Sequence, residues 1–383
     1  MKVKLSDAFE LQMGKTPDRS DSSCWSGAHK WVSIADLSKA DKYIIDTKET
    51  ISDTGVAKSG IKVVPKGTVI MSFKLSIGKT AITTEDLYTN EAIMAFIDKG
   101  IYEIDTNYIY HLFASKDWNE GTNKAVLGLT LNKATLSQVE IEIPSIAEQK
   151  QVVEVLDKVD ELISLRKKQL QKLDDLIKSR FVEMFGDPMT NNKEYDLKTF
   201  GDLFELNAGG TPSKSCAEYW DGGTISWIGS NMCQNAFIYQ NDGSYITEAG
   251  YKHSSAKIFS VDTVLIALVG ATIGKTALLK FETTTNQNVL GIRGIREAGY
   301  TPEFVFYYTQ GLYGKFLSLG DGSFAMASKR FISELPIPIV GIGHQENFSS
   351  FVKQANNVKM IIQQGLDTLE QMKQVLMQKY FGC

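Results

Sequence analysis

At 383 residues the chain has room for two domains of ordinary size, and 43% apolar with 22% charged residues suits a protein that buries a core. Its longest apolar stretch, VLIALVGATIG at 264–274, is too short to span a bilayer, and the opening MKVKLSDAFE offers no signal peptide, so a cytoplasmic protein with no membrane partner is expected. A net charge of −4 argues against a uniformly basic nucleic-acid coat, though not against phosphate contacts from local rows of Lys and Arg.

Cys24, Cys216, Cys233 and Cys383 form no C-x-x-C pair, which fits a reducing compartment and argues against a zinc or disulfide framework. His29, His111, His253 and His344 are scattered as well, so no metal site is expected.

In chain order, AFELQMGKTP (8–17) opens a region of short β-branched runs broken by Gly, Asn and Thr. KVVPKGTVIMSF reads as a strand entered through a turn, and LSIGKTAI (75–82) follows it. The last of these resembles the end of a phosphate-binding loop. Such a loop needs G-x-x-x-x-G-K-[ST], and Phe73 stands where the first glycine belongs. A strand ending in a tight glycine turn that presents a lysine and a threonine is the better reading. YIYHLFAS (108–115) reads as a short helix or strand, and periodicity does not separate the two.

IPSIAEQ (143–149) then leads into residues 147–185, which contain neither Pro nor Gly. Apolar residues at Val152, Val155, Val159, Leu162, Leu170, Leu173, Ile177 and Phe181 recur mostly at spacings of three and four, interrupted by Arg166. This predicts an amphipathic helix about 58 Å long with a coiled-coil stripe that needs a partner. Its eight acidic and eight basic residues make it a poor DNA surface and a suitable one for protein partners.

After Phe185-Gly186 the chain starts again. LFELNAGGTP (203–212) matches AFELQMGKTP, Trp220 matches Trp25, SWIGS (226–230) matches KWVSI (30–34), and DTVLIA (262–267) matches GTVIMS (67–72). TIGKTALL (272–279) repeats the glycine turn 196 residues later, with Val269 at the missing-glycine position. NQNVLGIR (286–293) answers NEAIMAFI (90–97), and EFVFYYTQG answers the 108–115 segment. The dipeptide Ile-Pro at 337–338 pairs with Ile-Pro at 143–144, so IPIVGIGHQENF reads as carrying two extra residues and lacking the Ala-Glu pair. HQENFSSFVKQANNVKMIIQQGLDTLEQMKQVLMQKYF (344–381) supplies the second long helix, and Phe381-Gly382 closes the repeat.

The architecture expected is mixed α/β (α+β), with two similar globular domains, 1–144 and 188–338. Two long antiparallel helices, 145–187 and 339–383, separate them with pseudo-twofold symmetry. Two domains so related match two half-sites about 34 Å apart on duplex DNA.

Catalytic signatures do not assemble. There is no Asn-Pro dipeptide for an amino-methyltransferase, and no Ser/His/Asp order with a nucleophile elbow. A nuclease set would need Pro17-Asp18 with Asp46-Thr47-Lys48, yet Ser213 replaces Asp18 in the second copy.

AFELQMGKTP…W…KWVSI, VIMSFKLSIGKTAI, IEIPSIAEQKQVVEVLDKVDELI and KSRFVEMFGDP, each followed by a second version, resemble the specificity subunit of type I restriction–modification systems, over essentially the whole chain. The resemblance implies two target-recognition domains that read a bipartite, asymmetric DNA target. The helices would act as ruler and as docking sites for two modification (methyltransferase) subunits, with restriction/translocase subunits completing the complex. It implies no cofactor on this chain, S-adenosylmethionine, ATP and Mg belonging to the partners. The alternatives are a recognition subunit for another methyltransferase or nuclease system, and a coiled-coil scaffold that binds no DNA.

Candidate DNA contacts are Lys15, Thr16 and Arg19, with Thr211, Ser213 and Lys214, in the loops after Gly14 and Gly209. Lys74, Lys79, Thr80, Lys275 and Thr276 lie at the glycine turns, and Asn231, Gln234, Asn286, Gln287, Lys329 and Arg330 offer donors to bases or phosphates. Trp25, Trp31, Trp220 and Trp227 are expected in the domain cores.

Overall fold

A computed structural model describes residues 1–74, 76–118, 131–319 and 326–382, so Leu75 of the first glycine turn and Cys383 lie outside the description. The chain forms two compact units: Met1–Lys167 with Gln364–Cys383, and Lys168–Gln363.

In the first unit a five-stranded sheet runs Phe9–Met13, Ile93–Asp98, Val69–Ser72, Thr80–Thr83, Tyr43–Ile44, antiparallel except for its last pair. Side chains alternate across it as a strand's period of two demands. Leu11, Val69, Met71, Ile82, Met94 and Phe96 face one core, while Ile70, Ala81, Ile93 and Ala95 face another. The first core is closed by the helix Thr106–Ser115, capped by the Asp105 carboxylate on the Asn107 N–H at 2.8 Å. Its Tyr108, Ile109, Leu112 and Phe113 are buried there. A smaller sheet, Glu49–Ile51, Trp25–Val32, Tyr88–Thr89, lies on the other side of the second core through Val32.

The second unit repeats this plan. Its five-stranded sheet runs Glu205–Ala208, Val289–Arg293, Val264–Ala267, Thr276–Leu279, Ala236–Ile238. A four-stranded sheet runs Tyr245–Ile246, Ile225–Ile228, Thr283–Thr285, Ile258–Phe259. The helix Pro302–Gly311 takes the covering role, with Thr301 as cap and Pro302 in its first turn. Both ambiguous aromatic segments are therefore helices, and they are buried on more than one side: Tyr108 to Phe113 form an unbroken buried run, and Phe304 to Phe306 are buried with Tyr308 and Thr309, which is why periodicity did not separate helix from strand.

The helices Ile146–Phe185 and Ile342–Phe381 each span 40 residues, and each contributes to both units. In the first unit Asp160 pairs with Lys373 at 2.6 Å and Lys167 with Glu370 at 2.9 Å, an antiparallel register. In the second, Asp174 pairs with Lys359. Phe181 and Phe185 pack there on Phe348 and Phe304, with ring centroids 4.9–5.6 Å apart. Gly186 and Gly382, at φ +83 and +66, end the helices in the left-handed region where a Cβ is strained.

The expected stripe needs one correction. Leu162 is 36% exposed, whereas Leu156, outside the stripe, is fully buried. Val159, Ile177 and Phe181 are buried and Val152, Val155, Leu170 and Leu173 half-buried. The helix turns its apolar side toward a domain as well as toward its partner helix, so a single heptad does not describe it.

The junctions need another. Lys2–Lys4 pairs with Glu140–Glu142, and Leu197–Thr199 with Pro336–Pro338. The strand before each helix and the helix start are therefore offset by 196 residues in both copies, so Ile143 corresponds to Ile339. The match of the two Ile-Pro dipeptides is out by two, and there are no extra residues at the second junction. What differs is the cap. Ser145 and Glu148 exchange backbone N–H bonds at 2.9 and 3.4 Å as a capping box, while the second helix has Gly341 and His344 there.

Gln149 and Gln345 correspond in this register, and both are fully buried. The Gln149 amide accepts from the Asp105 N–H at 2.8 Å and donates to the Glu103 and Pro144 carbonyls at 2.9 and 3.0 Å. Gln345 accepts from the Thr301 N–H at 2.9 Å and donates to Val340 at 2.8 Å. Each glutamine ties a long helix to the cap of the domain's covering helix.

Candidate nucleic-acid interface

The segment after the first strand of each domain is held by two indoles. In the first domain Trp25 donates to the Asp18 carbonyl at 2.9 Å and Trp31 to the Lys15 carbonyl at 3.0 Å. In the second, Trp220 donates to Ser213 and Trp227 to Gly210, both at 3.1 Å. Within each pair the rings meet edge to face at 5.2 Å. Trp31 is buried and the other three are half-buried. In the first domain the indoles are core as expected, Trp31 clustering with Ile51 and Ile61 and Trp25 packing on them, and in both domains they also act as staples that shape residues 14–20 and 209–215.

Close backbone approach fixes the same loops from below. Lys15 N–H donates to Thr89 at 2.9 Å, and Gly210 N–H to Thr285 at 2.7 Å. A Cβ added at Gly14 would lie 2.0 Å from the Thr89 carbonyl oxygen, and one at Gly209 would lie 2.3 Å from that of Thr285. Only glycine fits at either position.

Both glycine turns are hairpin tips. Gly78 N–H donates to Ser72 and Gly274 N–H to Ala267, each at 2.9 Å, and a strand rather than a helix follows the lysine. A phosphate loop presents a helix N-terminus at that point; these turns present a lysine at the start of a strand. Lys79 is exposed, with no side-chain partner among the described residues. Lys275 donates to Gln234 at 2.9 Å. Thr80 and Thr276 are buried, and their hydroxyls donate to Gly78 and Asn235, so the structure places them inside the turn and not on a surface.

The remaining candidates divide. Thr16 donates to Glu91, and Thr211 to Gln287 at 2.5 Å. Arg19 lies 4.0 Å over the Trp25 ring and is paired with Glu49. Lys74 lies over Phe73, and Lys15 turns to the Ser59 carbonyl at 3.0 Å. Ser213 meets Ser215 at 2.8 Å, and Lys214 is exposed. Asn231 and Asn286 flank Gly229, where an added Cβ would lie 2.4 Å from one amide and 3.7 Å from the other. Lys329 and Arg330 are exposed on the helix Lys329–Ser333, where Arg330 pairs with Glu334 at 2.7 Å; they share no bond with the other candidates among the described residues.

Sequence reasoning passed over Glu91. The signal for it is the repeat itself, which sets Glu91 against Gln287. The Thr16 hydroxyl, with Lys74 and Arg19 nearby, holds the Glu91 carboxyl below its ordinary range against the effect of burial.

Among the described residues no group of three or more His, Cys, Asp or Glu could hold a metal, and no helix is long and apolar enough to cross a membrane.

The family model for the type I restriction modification DNA specificity domain matches twice, at residues 1–175 and 192–371. The MjaIX type I restriction enzyme specificity subunit of Methanocaldococcus jannaschii is 24% identical, over 94% of this chain and 88% of its own length. The EcoR124I/EcoR124II specificity subunit of Escherichia coli is 26% identical over 60% of this chain and 59% of its own. Among solved structures, a chain from work on the complex assembly and conformational transition of a type I R-M system superposes with a TM-score of 0.58 at 15% identity, covering 100% of this chain and 97% of that one. The type I S subunit from M. genitalium superposes with a TM-score of 0.51 at 13% identity, covering 99% and 95%. With its model matched twice over most of the sequence, the chain belongs to the type I restriction–modification specificity-subunit family.

Proposed function

We propose that each domain of this specificity subunit reads one half of a bipartite, asymmetric target on double-stranded DNA through its stapled loop, its glycine hairpin and the turn at residues 90–91 or 286–287. The observation that carries this is a repeated frame with unrepeated side chains. The indole staples, the glycine approaches and the hairpins recur in both domains. The exposed residues on them differ, with Arg19 against Lys214 and Glu91 against Gln287. A common frame with different donors and acceptors suits two different half-sites.

In this reading the chain is not itself an enzyme. It acts in the cytoplasm as the DNA-reading part of an assembly whose two modification subunits dock on the long helices and carry S-adenosylmethionine. Restriction/translocase subunits carry ATP and Mg. A bare coiled-coil scaffold would leave the doubled loops without a use.

The test is to exchange residues 188–338 for the equivalent domain of a relative and sequence the methylated sites in host DNA. One half of the target changes and the other stays; a change in both halves overturns the reading.

A further inference from the structure

One turn occurs in both domains with a different exposed side chain at its tip. Asn90 accepts from the Ala92 N–H at 3.0 Å, and Asn286 from the Asn288 N–H at 3.1 Å. Each asparagine donates its own N–H to the neighbouring sheet, to Val32 and Ile228 respectively, at 3.1 Å. The next residue, Glu91 or Gln287, is exposed. A threonine of the stapled loop, Thr16 or Thr211, donates to it. Backbone, neighbour and exposure are thus the same twice. The chemistry differs, because an ionised carboxylate only accepts, whereas an amide accepts and donates.

We infer that Glu91 and Gln287 are corresponding base-reading positions at which the two half-sites are made to differ, Glu91 accepting from the exocyclic amine of a cytosine and Gln287 spanning the N6 amine and N7 of an adenine. This rests on the proposed function. An ionised carboxylate only accepts, so on a DNA-facing surface its complement is a donor on a base edge, and cytosine N4 is such a donor in the major groove. The threonine bond occupies one oxygen of Glu91 and fixes the direction of the other. In Gln287 the same bond leaves the amide N–H groups and a second lone pair on the oxygen, the pair of groups that adenine matches. Both side chains stand on turns clamped by backbone bonds, the rigid support that base reading requires.

The single exchanges Glu91→Gln and Gln287→Glu test this, read by sequencing methylated sites in DNA from host cells carrying each variant. Glu91→Gln is expected to relax or alter one base position of the first domain's half-site, with discrimination there changing roughly 5- to 150-fold, and to leave the other half-site alone. Gln287→Glu does the reciprocal in the second. An unchanged motif in both variants overturns the inference, and so does loss of methylation at every site, since a surface side chain reading one base leaves the fold intact. The domain exchange described above separates the two levels. If it moves a half-site while the single exchanges move nothing, only this inference falls; if it moves nothing, the function itself is misread.

Discussion

The indole N–H of Trp31 donates to the Lys15 carbonyl across 3.0 Å, and the same bond recurs from Trp227 to Gly210 at 3.1 Å. Tryptophan, like tyrosine, fills a core and still carries a donor to a loop behind it. Trp31→Phe keeps most of the ring volume and strands the carbonyl, at a cost of about 1–2 kcal/mol. The expected outcome is a modest fall in melting temperature and weaker selection in the first half-site alone. Trp227→Phe should do the same to the second. Calorimetry and methylated-site sequencing check both.

The buried glutamines at the helix starts predict a larger effect. Gln149→Leu leaves the Asp105 N–H and the Glu103 and Pro144 carbonyls without their partner. The expected loss is about 2–4 kcal/mol, measured by urea unfolding, with Gln345→Leu comparable in its own unit. A surface substitution nearby, such as Lys150→Ala, should stay within about 0.5 kcal/mol.

His111 makes the first unit sensitive to mild acid. Its Nε2 lies 2.6 Å from Asp157, which also holds Lys42, and its Nδ1 is buried without a partner among the described residues. Burial lowers the His111 pKa, outweighing the raising effect of the Asp157 hydrogen bond and of Asp160. A depressed folded pKa means that the stability is fully present above the unfolded value, about 6.5, and is lost as pH falls below it, where the unfolded chain binds a proton that the folded chain refuses. Asp157 titrates far lower, because the bonds from Lys42 and His111 outweigh the raising effect of burial. Melting temperature is therefore expected to fall between pH 7.5 and 5.5, and the fall to shrink in His111→Phe. An equal slope in the variant removes the assignment.

How much of this the residues announced depends on whether the signal was local. The duplication, the tight glycine turns and the long helices rest on short patterns, and these are legible. The register of the second junction was not, because two Ile-Pro dipeptides agree by coincidence while strand pairing, a long-range property, fixes the offset. Leu162 and Leu156 exchanged roles for the same reason: a helix that packs against a domain and a partner helix has two apolar sides, and spacing alone favours one. The core place of Trp31 is legible and its staple bond is not, because burial is visible in composition and a hydrogen bond to a distant carbonyl is not. Glu91 was passed over because a lone acidic residue looks unsuited to DNA until its counterpart Gln287 stands beside it.

If the long helices act as a ruler, lengthening them should move the half-sites apart. Ile177, Phe181 and Phe185 belong to the core of the second unit, so lengthening the central helix after Lys178 would tear that core. The suitable place is where each helix passes from one compact unit to the other, after Lys167 and after Gln363. Because Asp160–Lys373 and Asp174–Lys359 set an antiparallel register in each unit, the insertions must match in both helices. Four residues in each add about 6 Å and slightly more than one turn, preserving the face presented. One base pair advances about 3.4 Å, so the unread gap between half-sites should grow by about one or two base pairs with both half-sites unchanged. Two residues in each turn the helix by about 200°, and modification should be lost. Sequencing methylated sites made by the two variants is the measurement. A four-residue variant that stays active with its original gap would show that something other than the helices sets the spacing.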